Sequence, residues 1–119
     1  MNNQSLNWKD PLYLESSLTT EETNILNTCR EYCRAQLQIR VIKDNKNKFF
    51  DKKLFKEFGK LGFLGSTIKG YGCAGTSNIA YGLIAKEFES VDSGYRSAIS
   101  VQSSLVMHPI HEFGSSHQK

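Results

Sequence analysis

Polar and apolar residues alternate along this chain with the period of helices. Thr19 followed by Glu22 has the spacing of a capping box, in which a hydroxyl and a carboxylate each satisfy an orphaned backbone N–H, so a helix is predicted from there. Ile25, Leu26, Cys29, Tyr32, Cys33 and Leu37 recur at three and four, one apolar stripe that predicts continuation to about Val41 or Ile42. The run Lys43-Asp-Asn-Lys-Asn-Lys48 is expected to break it. Asp51 can cap a second helix through Leu54, Phe55, Phe58 and Leu61, with Gly62 where a left-handed terminating residue is wanted. Residues 65–76 form a glycine-rich connector. A third helix is predicted from Thr76 or Ser77, with Ile79, Ala80, Leu83, Ile84 and Phe88 inward. Gly94 interrupts, and a serine-rich fourth helix should end near His108-Pro109, with a further short helix starting at Gly114-Ser115-Ser116.

No period-two pattern persists, so the expected fold is all-α, an antiparallel bundle of four to five helices over residues 19–119. Residues 1–18, which have no sustained period and contain Asp10-Pro11, are expected to be an extended lead-in.

The fourth helix carries the most unusual chemistry. From Ser93 to Met107 it holds one charge, Arg96, in fifteen residues. Solvated helices scatter charge along their outer face, so this one should be covered on most sides, leaving a guanidinium in a sheltered space where it needs an anion. Ser97, Ser100, Ser103 and Ser104 add hydroxyls on or near that side. Two readings remain open: a grip for a carboxylate or phosphate, or a local ion pair with Asp92 one turn earlier.

Composition narrows the class. A length of 119 residues allows one domain, and 39% apolar with 23% charged residues suits a modest soluble domain or a fragment that leans on neighbours. The net charge of +3 is too small to argue for nucleic acid. Eight basic residues between Arg40 and Lys60, against Asp44, Asp51 and Glu57, read as a solvated face because no binding motif accompanies them. Three cysteines without a paired framework suggest reduced thiols and a non-secreted protein, and Cys29 with Cys33, one turn apart, read as packing residues. No apolar run approaches the roughly twenty residues needed to cross a bilayer. Lys9 is the only base before Arg30, so neither a secretion signal nor an arginine-rich presequence is visible.

Three motifs have weaker claims. Gly70-Tyr-Gly-Cys-Ala-Gly75 matches the dinucleotide turn G-x-G-x-x-G, yet the preceding Phe63–Lys69 is a poor strand broken by Gly65, and a glycine loop between helices is the better reading. His108, His111 and Glu112 could share a helical turn, but Pro109 intervenes and no further metal ligand is close, so their role should be structural. The serines lack the base and oxyanion hole that a nucleophile needs.

Read together, Trp8-Lys-Asp-Pro-Leu-Tyr-Leu14, Gly62–Gly75, Ala80-Tyr-Gly-Leu-Ile-Ala-Lys-Glu87, and Val91-Asp-Ser-Gly-Tyr-Arg-Ser97 through His108-Pro-Ile110 resemble the glutaryl-CoA dehydrogenase branch of the acyl-CoA dehydrogenase family. The resemblance covers about Trp8 to Gln118. It implies an N-terminal helical domain that in the family precedes a β-domain and a C-terminal helical bundle, in a homotetramer with FAD between domains. The implied reaction removes the α proton of glutaryl-CoA with a glutamate base, passes a β hydride to FAD and releases CO2 to give crotonyl-CoA, a step of lysine and tryptophan breakdown in the mitochondrial matrix. Electrons leave through electron-transfer flavoprotein. The base and main flavin contacts lie in the other domains, so no catalytic, flavin-binding or metal residue is expected here. The carried-over site is the grip on the substrate tail: Arg96 facing the distal carboxylate, Ser97 beside it, Ser100 one turn along. The competing class is a non-catalytic helical interaction module derived from the same domain.

Overall fold

The structure, a computed structural model, describes residues 6–119, and the first residues of the lead-in lie outside them. Among the described residues the chain is all-helical. Helix α1 (Thr20–Tyr32) opens on the predicted capping box and runs on through a π-helical segment, Cys33–Leu37. It stops there, short of Val41, because the chain turns at 38–40 with Arg40 N–H on the Leu37 carbonyl. The lysine run does not break a helix but forms one, α2 (Val41–Lys46), ended by Lys48 in the left-handed region (φ 52°). Helix α3 (Leu54–Lys60) begins beside Asp51, whose carboxylate accepts from Lys53 N–H at 3.0 Å, and ends at left-handed Gly62 as predicted.

Helix α4 (Asn78–Glu89) is capped by Ser77, which accepts from Ala80 N–H. Ala80, Ile84 and Phe88 point inward, whereas Ile79, expected inside, is 58% exposed on the uncovered first turn. Helix α5 (Ser93–Ser100) continues through a π-helical segment (Val101–Met107) into α6 (His108–Phe113), one rod past the expected end at Pro109. Proline falls in the first turn of α6, just after a segment whose widened turns have already shifted the accepting carbonyls. Beyond Gly114 there is only a turn, not the further helix. The described part of the lead-in, residues 6–18, is also not extended: Asp10 accepts from Leu14 and Glu15 N–H, and Glu15–Ser17 make a 3-10 turn.

The rods close around an aromatic centre. Phe88 meets Phe58 edge to face at 5.0 Å and Phe63 at 5.5 Å, with Tyr32 against Phe58 and Phe63 from α1. Cys29, Cys33, Leu37, Leu54, Ile84, Tyr95 and Ile99 complete the core. Cys29 and Cys33 are packing residues as expected, and Cys29 Sγ donates to the Ile84 carbonyl at 3.8 Å. The neighbouring Cys33 thiol and burial push the Cys29 thiol well above its ordinary range, so it stays protonated and inert.

Two polar devices set how α1, α4 and the connector meet. Glu22 closes the α1 cap through Thr19 N–H (3.0 Å) and also takes the Ser77 hydroxyl at 2.6 Å, so one carboxylate clasps two helix starts. The Ser77 and Thr19 hydrogen bonds hold its pKa below the ordinary glutamate value of 4.5. Stability from this group is therefore complete above about pH 4.5 and is lost as pH falls through the lowered folded-state value. Melting curves over that acid range are expected to fall less steeply for Glu22→Gln than for the native chain. In the connector, buried Gly65 has φ 56°, donates its N–H to Ser103 Oγ at 3.0 Å, and would bring an added Cβ to 2.6 Å from Met107 Cε. Gly65→Ala should cost about 1–2 kcal/mol from the left-handed backbone alone and lower the melting temperature by several degrees.

Candidate functional site

Asp92 starts α5 by accepting from Gly94 N–H at 2.8 Å, and this cap places Arg96 one turn in, beside the end of α4. The ion pair considered from sequence is made, but with a different partner: Arg96 Nε donates to Glu89 Oε2 at 2.6 Å. Asp92 cannot serve because its carboxylate is committed to the cap and to Asn45 Nδ2 at 3.0 Å. Glu89 is held from both sides, its other oxygen accepting from Ser93 Oγ at 2.8 Å. Arg96 first, then Ser93, draw its pKa below the ordinary glutamate value. Glu89 therefore stays ionised and fixes the guanidinium through Nε, while the two terminal nitrogens have no partner among the described residues.

The expectation of a helix covered on most sides is not met within this chain. Tyr95, Ile99 and Ser103 are buried, but Val101, Leu105, Val106, Ile110 and Phe113 are exposed, and the Arg96 side chain is 38% exposed. Burial follows one stripe because α4 and the connector cover one side only.

The four serines separate by role. Ser103 is buried and accepts from Gly65 N–H, and Ser104 Oγ lies 3.2 Å from the Tyr81 hydroxyl, so both are tied to the connector and α4. Ser97 lines an open groove of ≈ 390 Å³ with Phe50, Phe55 and Val101, and Ser100 is half-buried one turn after Arg96. What remains for a ligand is Arg96, Ser97 and Ser100. Sequence reasoning missed Glu89, seven residues before Arg96, because the pair bridges two helices and no periodicity within one helix signals it. It also missed Ser66, buried in the connector with an unpartnered hydroxyl, which lines a recess of ≈ 200 Å³ with Ser103, Ser104 and Tyr81.

The glycine loop links α3 to α4 with left-handed Gly70, Tyr71, Gly72 and Gly75, and no strand precedes it among the described residues. It therefore does not form the strand-turn-helix phosphate cradle. His111 Nδ1 lies 3.0 Å from Glu112 Oε1, and no group of three His, Cys, Asp or Glu side chains that could hold a metal occurs among the described residues.

Residues 19–119 match the model of the acyl-CoA dehydrogenase N-terminal domain. The chain is 29% identical over 115 residues to the human short-chain specific acyl-CoA dehydrogenase, mitochondrial, covering 94% of this chain and 28% of that protein. It is similar at 42% identity to glutaryl-CoA dehydrogenase from Mycobacterium smegmatis in two crystal structures. One is in complex with FADH2, with a TM-score of 0.86 over 89% of this chain and 28% of that one. The other gives 0.87 over 92% and 29%. The chain thus spans less than a third of the length of these relatives.

Proposed function

Because this chain belongs to the acyl-CoA dehydrogenase family, whose N-terminal domain it carries, we propose that it supplies the substrate-tail wall of a flavin-dependent enzyme that converts glutaryl-CoA to crotonyl-CoA and CO2. The observation that carries the reading is the half-engaged guanidinium: Glu89 occupies Nε and leaves a two-nitrogen edge free. Such an edge matches the two oxygens of a carboxylate in parallel charge-assisted bonds. Ser97 and Ser100 supply hydroxyls within one turn of it.

In this proposal Arg96 receives the distal carboxylate of the glutaryl group, Glu89 holds the guanidinium in orientation, and Ser97 and Ser100 donate to the same carboxylate or to the acyl chain. Bound FAD would accept the hydride, held by parts of the protein beyond this domain, and the base would also lie there. The 42% identity to the two glutaryl-CoA dehydrogenase structures, against 29% to the short-chain enzyme, supports the diacid substrate. Electron transfer to electron-transfer flavoprotein, assembly as a homotetramer and residence in the mitochondrial matrix belong to the same proposal.

The test is anaerobic mixing of the complete flavoprotein with glutaryl-CoA and with butyryl-CoA. Flavin bleaching with CO2 release on glutaryl-CoA, and markedly lower kcat/KM on butyryl-CoA, is the expected result. A preference for the neutral thioester would overturn the assignment.

A further inference from the structure

The basic segment between Arg40 and Lys60 reads from sequence as a solvated face, but the structure sets large apolar side chains among its lysines. Residues 39–53, comprising α2 and the turns around it, bury only Asp44. Ile39 and Ile42 are 78% and 80% exposed, and Phe49 is 55% exposed. The turn after α2 is well defined: Lys48 N–H donates to the Asn45 carbonyl and Phe49 N–H to the Asp44 carbonyl at 2.9 Å, a helix-ending motif that folds Phe49 back beside α2. Ile42 and Lys46 are spaced one turn apart on α2, and Ile39 protrudes from the turn just before it, so apolar and basic side chains share the same projection.

The acidic residues of the segment neutralise it only in part. Arg40 takes both Asp44 (2.7 Å) and Asp51 (3.2 Å), and Glu57 accepts from the Tyr32 hydroxyl at 2.7 Å. Lys43, Lys46, Lys48, Lys52, Lys53, Lys56 and Lys60 are exposed, and none is in an ion pair among the described residues. Eight basic residues between Arg40 and Lys60 against Asp44, Asp51 and Glu57 still leave a net charge of +5 on the segment, carried by lysines around protruding isoleucine and phenylalanine.

We propose that this projection adsorbs to the surface of an anionic lipid bilayer, the lysines meeting headgroup phosphates and Ile39, Ile42 and Phe49 entering the boundary with the acyl chains. Charge complementarity selects an anionic partner. The protruding aliphatic side chains of Ile39 and Ile42 favour a fluid interface, which accepts them without preformed pockets, over a folded acidic protein. The attachment is peripheral, since no helix is long and apolar enough to cross a membrane among the described residues.

The experiment is cosedimentation of the full protein with vesicles of phosphatidylcholine alone and of phosphatidylcholine with phosphatidylglycerol. Binding to the anionic vesicles only, weakened by added salt, is expected. Changing Lys43, Lys46 and Lys48 together to Gln should lower the partition coefficient by roughly a hundredfold. Changing Ile39, Ile42 and Phe49 together to Ser should do the same or more; these side chains are exposed, and an unchanged circular dichroism spectrum verifies the fold. Three outcomes overturn the proposal: no preference for anionic vesicles; full binding by the triple-Ser variant, which would mean charge adsorption alone; or displacement from vesicles by soluble polyglutamate in preference to lipid, which would point to an acidic protein. None of these bears on Arg96.

Discussion

Replacing Arg96 by alanine in the complete enzyme should lower kcat/KM for glutaryl-CoA by roughly thirtyfold to several thousandfold and leave butyryl-CoA almost untouched. The range is the cost of removing one partner of a desolvated, hydrogen-bonded charge pair, about 2–5 kcal/mol, expressed as a rate ratio. The upper part applies if the rest of the protein covers the guanidinium, which is 38% exposed in this chain. Arg96→Lys keeps the charge but loses the planar fork, and Glu89 competes for the single ammonium, so recovery should be partial. Glu89→Gln tests the orientation argument separately: the guanidinium keeps its charge but its Nε contact becomes a weaker bond to a neutral amide oxygen, so the loss should be smaller than for Arg96→Ala and again confined to the diacid thioester. Equal losses on both substrates for Arg96→Ala would remove the residue from its assigned role. Steady-state kinetics on the two thioesters decides all three variants.

Phe88→Ala is expected to have the largest effect on stability. Its ring is fully buried and makes edge-to-face contacts with both Phe58 and Phe63, the residues through which α3 and the following turn reach α4. Emptying that position should cost about 3–5 kcal/mol in lost transfer energy and residual cavity. A domain of this size has about 5–15 kcal/mol in total. The urea midpoint should therefore shift strongly, whereas Phe113→Ala, 88% exposed, should leave it unchanged. Equal shifts for the two would mean that the aromatic centre does not anchor the fold.

Local signals were legible where they acted within one helical turn. The Thr19–Glu22 box, the Ser77 start and the left-handed Gly62 each appear where the sequence places them, whereas α3 starts at Leu54 with Lys53 as its N-cap and Asp51 bonded just before it. The apolar stripe of α1 is buried at Leu26, Cys29, Cys33 and Leu37. Errors fell where side-chain pairing or a change of helix type overrode a simple pattern rule. Arg40 gathers Asp44 and Asp51 and helps the lysine run to form α2 instead of breaking a helix. The π-helical segment from Val101 lets the last rod pass Pro109. Ser103 and Ser104, grouped with Arg96 by spacing alone, are drawn to Gly65 and Tyr81.

Sequence by itself determined the helical class and the helix caps at Thr19 and Ser77, and it nominated Arg96, Ser97 and Ser100 as the candidate grip, because capping, periodicity and motif resemblance are carried by residues close together in the chain. The tertiary structure decided that Glu89, not Asp92, holds Arg96, that Glu22 clasps two helix caps, and that Ile39, Ile42 and Phe49 stand outward among unpaired lysines. These depend on which side chains meet across helices and which faces stay uncovered, and the spacing of residues along a single helix does not specify either.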